Sequence, residues 1–486
     1  MNIKMIARII GYILFVEVAL MLPAFAISIF MHEAAAMKGF IYAIVIALIV
    51  GALLCLFAKN AKRDRFYARE GMATTGISWI AMSLVGAVPF YVSKEIPSFI
   101  DAFFEIVSGF TTTGSSILLE VESMSKGLLF WRSFSHWIGG MGVLVFLMAI
   151  VSLGKKNQGF SLHILRAESP GPSVGKIVPR IKQTAAILYV LYIVLTVVDI
   201  AFLLLGGMNL FEACCIAFGT AGTGGFGVKN DSLASYSSYI QTVTTIFMFL
   251  FSVNFSIYYM IVLRRFKEVI RDEEFHLFLG MIMVSITLIT WNVLPMFSSL
   301  KEAVHHVAFT VGTVMSTTGY ATVDFDQWPS FAKSILFILM MIGACAGSTG
   351  GGMKQVRILL LLKKIRQNIH KSLHPSEVKS ILVNGRAMDE GIIDNTTSYL
   401  IAYAIIVILS FIIISLDGFD LETNVSAIIA TFNNIGPGFA KVGATCNFAA
   451  FSPVSKLVMC FDMLAGRLEI FPMLLLLSRS TWKRAR

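Results

Sequence analysis

Apolar residues in this chain fall in long unbroken runs, and ten of these are long enough to cross a bilayer as helices, for which about 20 residues suffice. They lie near residues 8–31, 39–58, 72–94, 128–153, 183–206, 238–262, 275–298, 331–362, 397–416 and 453–478. From the third run onward they pair, and each pair encloses a shorter, moderately apolar stretch: about 101–112, 209–221, 301–315 and 422–433. Stretches of that length cannot span, but they suit re-entrant half-helices shielded by protein. Each leads into a glycine loop: Thr111-Thr112-Thr113-Gly114-Ser115, Thr223-Gly224-Gly225-Phe226, Ser316-Thr317-Thr318-Gly319-Tyr320 and Asn433-Asn434-Ile435-Gly436-Pro437-Gly438. The predicted unit is helix, half-helix, glycine loop, helix, repeated four times after an initial hairpin. Acids upstream of the loops (Glu105, Glu212, Glu302, Glu422) stand 9, 12, 17 and 14 residues before Gly114, Gly224, Gly319 and Gly436, so the repeat reads as divergent.

Composition agrees with a polytopic membrane protein: 56% of residues are hydrophobic and 14% charged, where soluble domains carry roughly a quarter. Lys and Arg outnumber Asp and Glu by 39 to 29, for a net charge of +10. That excess is placed as a topology signal, with no nucleic-acid partner implied. Lys59, Lys62, Arg63, Arg65 and Arg69 follow the second span; Lys155, Lys156, Arg166, Lys176, Arg180 and Lys182 follow the fourth; Arg264, Arg265, Lys267 and Arg271 follow the sixth. In a ten-span count these share one side with the basic 363–390 loop and the C-terminus. That side is expected to be cytoplasmic, with both termini inside, and all four glycine loops then enter from the outer face. The outer face carries Asp101, Glu120, Glu122, Asp231, Asp324, Asp326, Asp417 and Asp420, which favour local cation accumulation.

The run from Ile9 to Phe30 exceeds the roughly 7–15-residue core of a secretory leader and contains Glu17, so it is expected to remain as the first transmembrane helix. The six cysteines show no paired metal spacing and mostly lie in apolar stretches, where a thiol behaves as a small hydrophobe.

Small hydroxyl or amide residues beside a glycine allow left-handed backbone, which can aim successive carbonyl oxygens at one axis. Rings of such oxygens replace the hydration shell of a cation. Four loops from one polypeptide would close one ring, which points to a pore for a monovalent cation. Pro437 makes the fourth loop chemically distinct, because proline fixes its backbone and removes a donor.

The chain resembles the ion-translocating subunit of bacterial Trk/Ktr-type potassium uptake systems, of the TrkH type given its extra N-terminal hairpin. Six motifs in order carry the resemblance: Gly109-Phe110-Thr111-Thr112-Thr113-Gly114; Trp131-Arg132-Ser133-Phe134 with Trp137-Ile138-Gly139-Gly140-Met141-Gly142; Thr223-Gly224-Gly225-Phe226; Thr317-Thr318-Gly319-Tyr320-Ala321-Thr322-Val323-Asp324-Phe325; Gly347-Ser348-Thr349-Gly350-Gly351-Gly352-Met353-Lys354; and Asn433-Asn434-Ile435-Gly436-Pro437-Gly438. The resemblance implies an all-α membrane protein with a hairpin at 1–71 and pore repeats at 72–180, 181–274, 275–390 and 391–486, in pseudo-fourfold arrangement around one pore. It implies filter glycines at Gly114, Gly224, Gly319 and Gly436, with potassium also held by Thr112, Thr113, Thr223, Thr317, Thr318, Asn434 and Ile435. A bacterial inner-membrane homodimer, surrounded by lipid, with a cytoplasmic nucleotide-binding partner of TrkA type is implied as well. Potassium is then cargo and bound ion, and no organic cofactor is expected in this chain. The second loop departs from the family in carrying Gly222 and Gly227 where serine is commoner.

Five glycines within Gly343–Gly352 should interrupt the eighth span, since glycine costs about 1 kcal/mol per residue in a helix interior relative to alanine. One reading is a close-packing surface of small residues; the other, which the resemblance supports, is a gate beneath the filter at Gly347, Gly350, Gly351 and Gly352. Arg467 falls about halfway along the last span, where an arginine costs at least ~2.5 kcal/mol unless it meets water or a partner. It is read as a cation in the ion path, against the alternative of a structural salt bridge; Asp462 and Glu469 are near in sequence but not on its helical face. Arg132, His136, Asn254 and Asp199 are read as packing or helix-end groups, and Lys354 as an anchor for the glycine segment or a snorkelling side chain. Two other functions are weighed. A sodium-permeable or sodium-coupled transporter would carry the same glycines. An intramembrane enzyme would need a nucleophile or metal motif, and none is present; adjacent His305 and His306 face different sides of a helix.

Overall fold

The computed structural model describes residues 1–59, 67–140, 181–377 and 379–482, with backbone alone at 181–186. The inner part of the fourth predicted span, most of the 154–182 loop, Lys62, Arg63, Arg65 and Gly142 lie outside the described residues. Among those described, six helical stretches are long and apolar enough to cross a membrane: Ile3–Phe30, Ala34–Phe57, Ala68–Ser93, Ile187–Leu205, Glu273–Met296 and Glu390–Asp417. The first three belong to α1 (Ile3–Phe30), α2 (Ala34–Phe57) and α3 (Ala68–Gly86) with α4 (Val88–Ser93). The chain is a helical membrane protein.

The four half-helices are α5 (Phe99–Phe110), α8 (Leu210–Gly222), α13 (Leu300–Ser316) and α17 (Leu421–Phe432). Each starts on a side-chain cap: Ser98, Asn209, Ser299 and Asp420 accept from the backbone N–H three residues on. Asp420 is held below the usual carboxylate range by its bonds from the Thr423 hydroxyl and N–H. Three half-helices have 12 or 13 residues, while α13 has 17, one turn more.

Each half-helix stands between a preceding and a following helix. The preceding ones are α3, α7 (Ile181–Leu205), α12 (Glu273–Val293) and α16 (Glu390–Ile414); the following ones are α6 (Lys126–Gly140), α9 (Ser238–Ser252), α14 (Ser330–Ile342) and α18 (Pro453–Arg467). Each following helix also packs on the next half-helix: α6 on α8, α9 on α13, α14 on α17, and α18 back on α5. Polar contacts mark three of these seams at the fourth residue of the helix. Gln241 Oε1 meets His305 Nε2 at 2.7 Å, Lys333 pairs with Glu422 at 2.5 Å, and Lys456 pairs with Asp101 at 2.6 Å. The last seam joins the fourth repeat to the first, so the packing closes on itself.

Among the described residues, three predicted spans from the sixth onward are broken into separate helices. After α9 the chain bends by 89° into α10 (Phe255–Val262), where Asn254 caps the new helix by accepting from the Ser256 N–H. A short α11 (Phe266–Ile270) then leads to α12. The eighth run divides into α14 and α15 (Gln355–Leu373) around residues 343–354, as the glycines require. The last run divides into α18 and α19 (Phe471–Leu477), ahead of α20 (Arg479–Trp482). Glu469 and Ile470 both have positive φ at that break, and Pro472, which lacks an N–H, could not have continued the helix. The three broken helices end after 15, 13 and 15 residues.

Candidate functional site

All four half-helices end in the same way. Thr112, Thr223, Thr317 and Asn434 take left-handed backbone, and the next N–H reaches five residues back: Thr113 to Ser108 O, Gly224 to Gly219 O, Thr318 to Thr313 O and Ile435 to Ala430 O, at 2.8–2.9 Å. This is the Schellman closure of a helix C-terminus. Two residues after each left-handed residue stands a glycine with φ between +78° and +97°: Gly114, Gly225, Gly319 and Gly436. The register of the second loop therefore differs from the sequence expectation. Gly225, not Gly224, occupies the position of the other three glycines, and Gly224 corresponds to Thr113, Thr318 and Ile435.

These glycines are where the loops meet. A Cβ on Gly114 would overlap Gly224 O, one on Gly225 would overlap Thr318 O, and one on Gly319 would overlap Ile435 O; on Gly436 it would lie 2.9 Å from Thr113 O. The order is first to second, second to third, third to fourth, and fourth to first. The carbonyl oxygens of Thr112, Thr113, Gly114, Thr223, Gly224, Gly225, Thr317, Thr318, Gly319, Asn434 and Ile435 accept no hydrogen bond among the described residues. Helix closure has turned N–H groups back onto the half-helices, whose negative dipole ends also lie at the ring. The arrangement offers a cation oxygen ligands without an offsetting donor.

Buried polar contacts brace the loops from behind. Glu105 Oε1 accepts from Arg132 Nε at 2.6 Å, and its other oxygen accepts from the Ile117 N–H at 2.9 Å. Arg132 also donates to Gly227 O at 3.1 Å and lies 3.5 Å over the Phe226 ring, joining first repeat to second. Tyr320 donates to Ile216 O at 2.9 Å, and Asn434 Nδ2 donates to Thr113 Oγ1 at 2.8 Å. Arg132 thus makes contacts between repeats, and Asn254 is a helix-end group. Asp199 is buried, and neither carboxylate oxygen is hydrogen-bonded among the described residues.

The glycine segment packs directly on the loops. Gly351 N–H donates to Thr317 Oγ1 at 2.6 Å and Gly352 N–H to Asn433 O at 3.0 Å. A Cβ on Gly351 would overlap Asn433 O, and one on Gly350 would fall 2.8 Å from Ser316 O. Gly347 O accepts from the Phe255 N–H, so the break between α9 and α10 holds the far end of the segment. Lys354 is buried and donates to Gly350 O, which selects the anchor over the snorkelling reading. Arg467 is the final residue of α18, not the midpoint of a continuous span. It donates to Thr349 O at 2.8 Å and to Gly139 O at 2.6 Å, bridging the segment and α6. Neither nearby acid pairs with it in these contacts: Glu469 pairs with Arg357, and Asp462 accepts from Ser410 at 2.8 Å. Thr349, Glu105 and Gly225 are participants to which the sequence reading assigns no site role. His305 and His306 contact Gln241 and Thr322 respectively, and no group of three metal-binding side chains occurs among the described residues.

Comparison with known proteins gives this geometry a family. The TrkH family model, described as a cation transport protein, matches residues 35–483. The chain is 33% identical over 492 residues to the Trk system potassium uptake protein TrkH of Escherichia coli (strain K12), covering 99% of this chain and 100% of that one. It is 30% identical over 491 residues to the Trk system potassium uptake protein TrkG of the same organism, covering 99% of each. The crystal structure of the potassium transporter TrkH from Vibrio parahaemolyticus matches with a TM-score of 0.87 at 29% identity, over 99% of this chain and 100% of that one. The chain belongs to the TrkH family of cation transport proteins.

Proposed function

We propose that this chain is the ion-translocating subunit of a bacterial potassium uptake system, a transporter and not an enzyme, with the four-loop ring as its filter. The observation that carries the reading is the ring itself: four glycines, each abutting a carbonyl of the next loop, with carbonyl oxygens that no donor among the described residues occupies. Potassium is the cargo suggested by the names of the relatives. The filter is formed by residues 112–114, 223–225, 317–319 and 434–436, within repeats at 72–180, 181–274, 275–390 and 391–486 that follow the hairpin at 1–71.

Below the ring, the segment bearing Gly347, Gly350, Gly351 and Gly352 is the gate, and Arg467 holds it shut through Thr349 O. The positive-inside reading places the basic α15 on the cytoplasmic side, together with both termini, in the bacterial inner membrane. There α15, which leaves the gate directly, offers a surface for a nucleotide-binding regulatory subunit of TrkA type. The working unit is a homodimer.

Potassium-limited growth of a cell lacking its own uptake systems, with the regulatory subunit supplied, tests the reading. The wild-type chain restores growth and Gly319→Ser does not, while excess sodium leaves wild-type growth intact. No rescue by the wild type would overturn potassium uptake, and rescue abolished by sodium would favour a sodium-permeable pathway. Removing Arg467 tests the gate. Arg467→Ala loses two charge-assisted bonds, each worth about 1.5–3 kcal/mol, so flux is expected to rise at least about tenfold with unchanged ion preference. Unaltered flux in reconstituted vesicles would remove Arg467 from the gate.

A further inference from the structure

The second loop is unusual in having glycine at 222, 224 and 225, and a side chain from α6 fills the space. His136 is fully buried. The Phe226 N–H donates to its Nε2 at 3.3 Å, so Nε2 is the unprotonated nitrogen of this contact. Nδ1 then carries the proton and donates to Gly109 O at 2.8 Å. One imidazole tautomer thus ties the first half-helix to the second loop. Its ring centroid lies 4.1 Å from that of Phe226. A Cβ on Gly224 would overlap the imidazole, and one on Gly222 would overlap the His136 carbonyl.

The other quadrants are built differently. Their loops carry Thr113, Thr318 and Ile435 at the position of Gly224. His136 is the eleventh residue of α6, and the eleventh residues of α9, α14 and α18 are Met248, Met340 and Met463, all buried. A loop without a side chain faces a helix with an imidazole; loops with side chains face no such ring.

We propose that His136 is a positioning residue for ion selection: its imidazole replaces the side chain that the second loop lacks and fixes the Gly224 carbonyl, which abuts Gly114. This assignment rests on the ring being the cation filter. A similar-sized apolar side chain loses both bonds, whereas glutamine offers one donor and one acceptor at comparable reach.

The test is rubidium uptake, with sodium as competitor, in potassium-uptake-deficient cells supplied with the regulatory subunit and normalised to chain in the membrane. His136→Leu is expected to lower the preference over sodium about tenfold, as for loss of two neutral hydrogen bonds, and His136→Gln to stay within about threefold of wild type. Gly224→Ala alone is expected to lose preference, and the Gly224→Ala/His136→Ala double variant to regain part of it, because the removed ring makes room for the methyl. Wild-type preference in His136→Leu, or a loss in His136→Gln equal to that in His136→Leu, would overturn the assignment. If His136→Leu does not accumulate, equal preference in Gly224→Ala and the double variant would overturn it. Absence of uptake by the wild type would instead overturn the transport reading beneath it.

Discussion

A Gly114→Ala chain is expected to reach the membrane and to transport less than about a tenth as much rubidium as wild type, with its preference over sodium lost. Two effects combine at this position. A φ of +82° strains any residue with a Cβ, by roughly 1–2 kcal/mol. The added carbon would also overlap Gly224 O, forcing the neighbouring loop to move. A suitable control separates the two. Gly418 has a φ of +75°, but a Cβ there would have nothing within 4 Å, so Gly418→Ala carries the strain without the overlap. Its uptake is expected to remain within about twofold of wild type. Gly225→Ala should behave as Gly114→Ala, since its Cβ would overlap Thr318 O. Equal uptake by Gly114→Ala and Gly418→Ala, each normalised to membrane-inserted chain, would show that the ring does not select the ion.

The order of elements was legible because each has a chemical marker. Apolar runs give the long helices, and the half-helices announce themselves by length. A better marker than the acids is the capping residue immediately before each half-helix. Ser98, Asn209, Ser299 and Asp420 precede their left-handed residues by 14, 14, 18 and 14 residues, so the repeat is regular except for one added turn in the third. The acids misled because Glu105 is a buried partner of Arg132, whereas Glu212, Glu302 and Glu422 lie in the first turns of their half-helices. Asp101 is the first-turn acid of the first repeat.

What stayed hidden depends on partners remote in sequence. Two consecutive glycines in the second loop both permit positive φ, and composition alone does not say which adopts it. The alternation of left-handed residue and glycine shared with the other loops decides for Gly225. The bend at Asn254 involves Gly347, more than ninety residues away, whereas Pro472 was a visible mark of the break after Arg467. Arg467 reads from sequence as a cation in the ion path, with a structural salt bridge as the alternative. The backbone carbonyls of Thr349 and Gly139 both accept from it, and the sequence does not show that these two converge.

The largest expected effect on stability lies at Glu105. Its carboxylate has no exposed surface and accepts from Arg132, Ser116 and the Ile117 N–H. Glutamine keeps the shape but removes the charge, and it turns an NH2 toward groups that are themselves donors. Arg132, 3% exposed, would be left as a buried cation whose remaining contacts are Gly227 O and the Phe226 ring. Breaking a buried pair from one side costs about 3–5 kcal/mol. Glu105→Gln should therefore lower the thermal transition of the purified protein steeply, and Arg132→Met should do the same by stranding the carboxylate. The Glu105→Leu/Arg132→Met double variant should recover much of the loss, since no charge is then buried alone. Its ion preference should nonetheless stay impaired, because the bonds to Gly227 O and the Ile117 N–H brace the chain beyond the second and first loops. A Glu105→Gln transition equal to that of wild type would mean that the pair does not hold these two quadrants together. A double variant no more stable than either single would locate the loss in packing instead of unpaired charge.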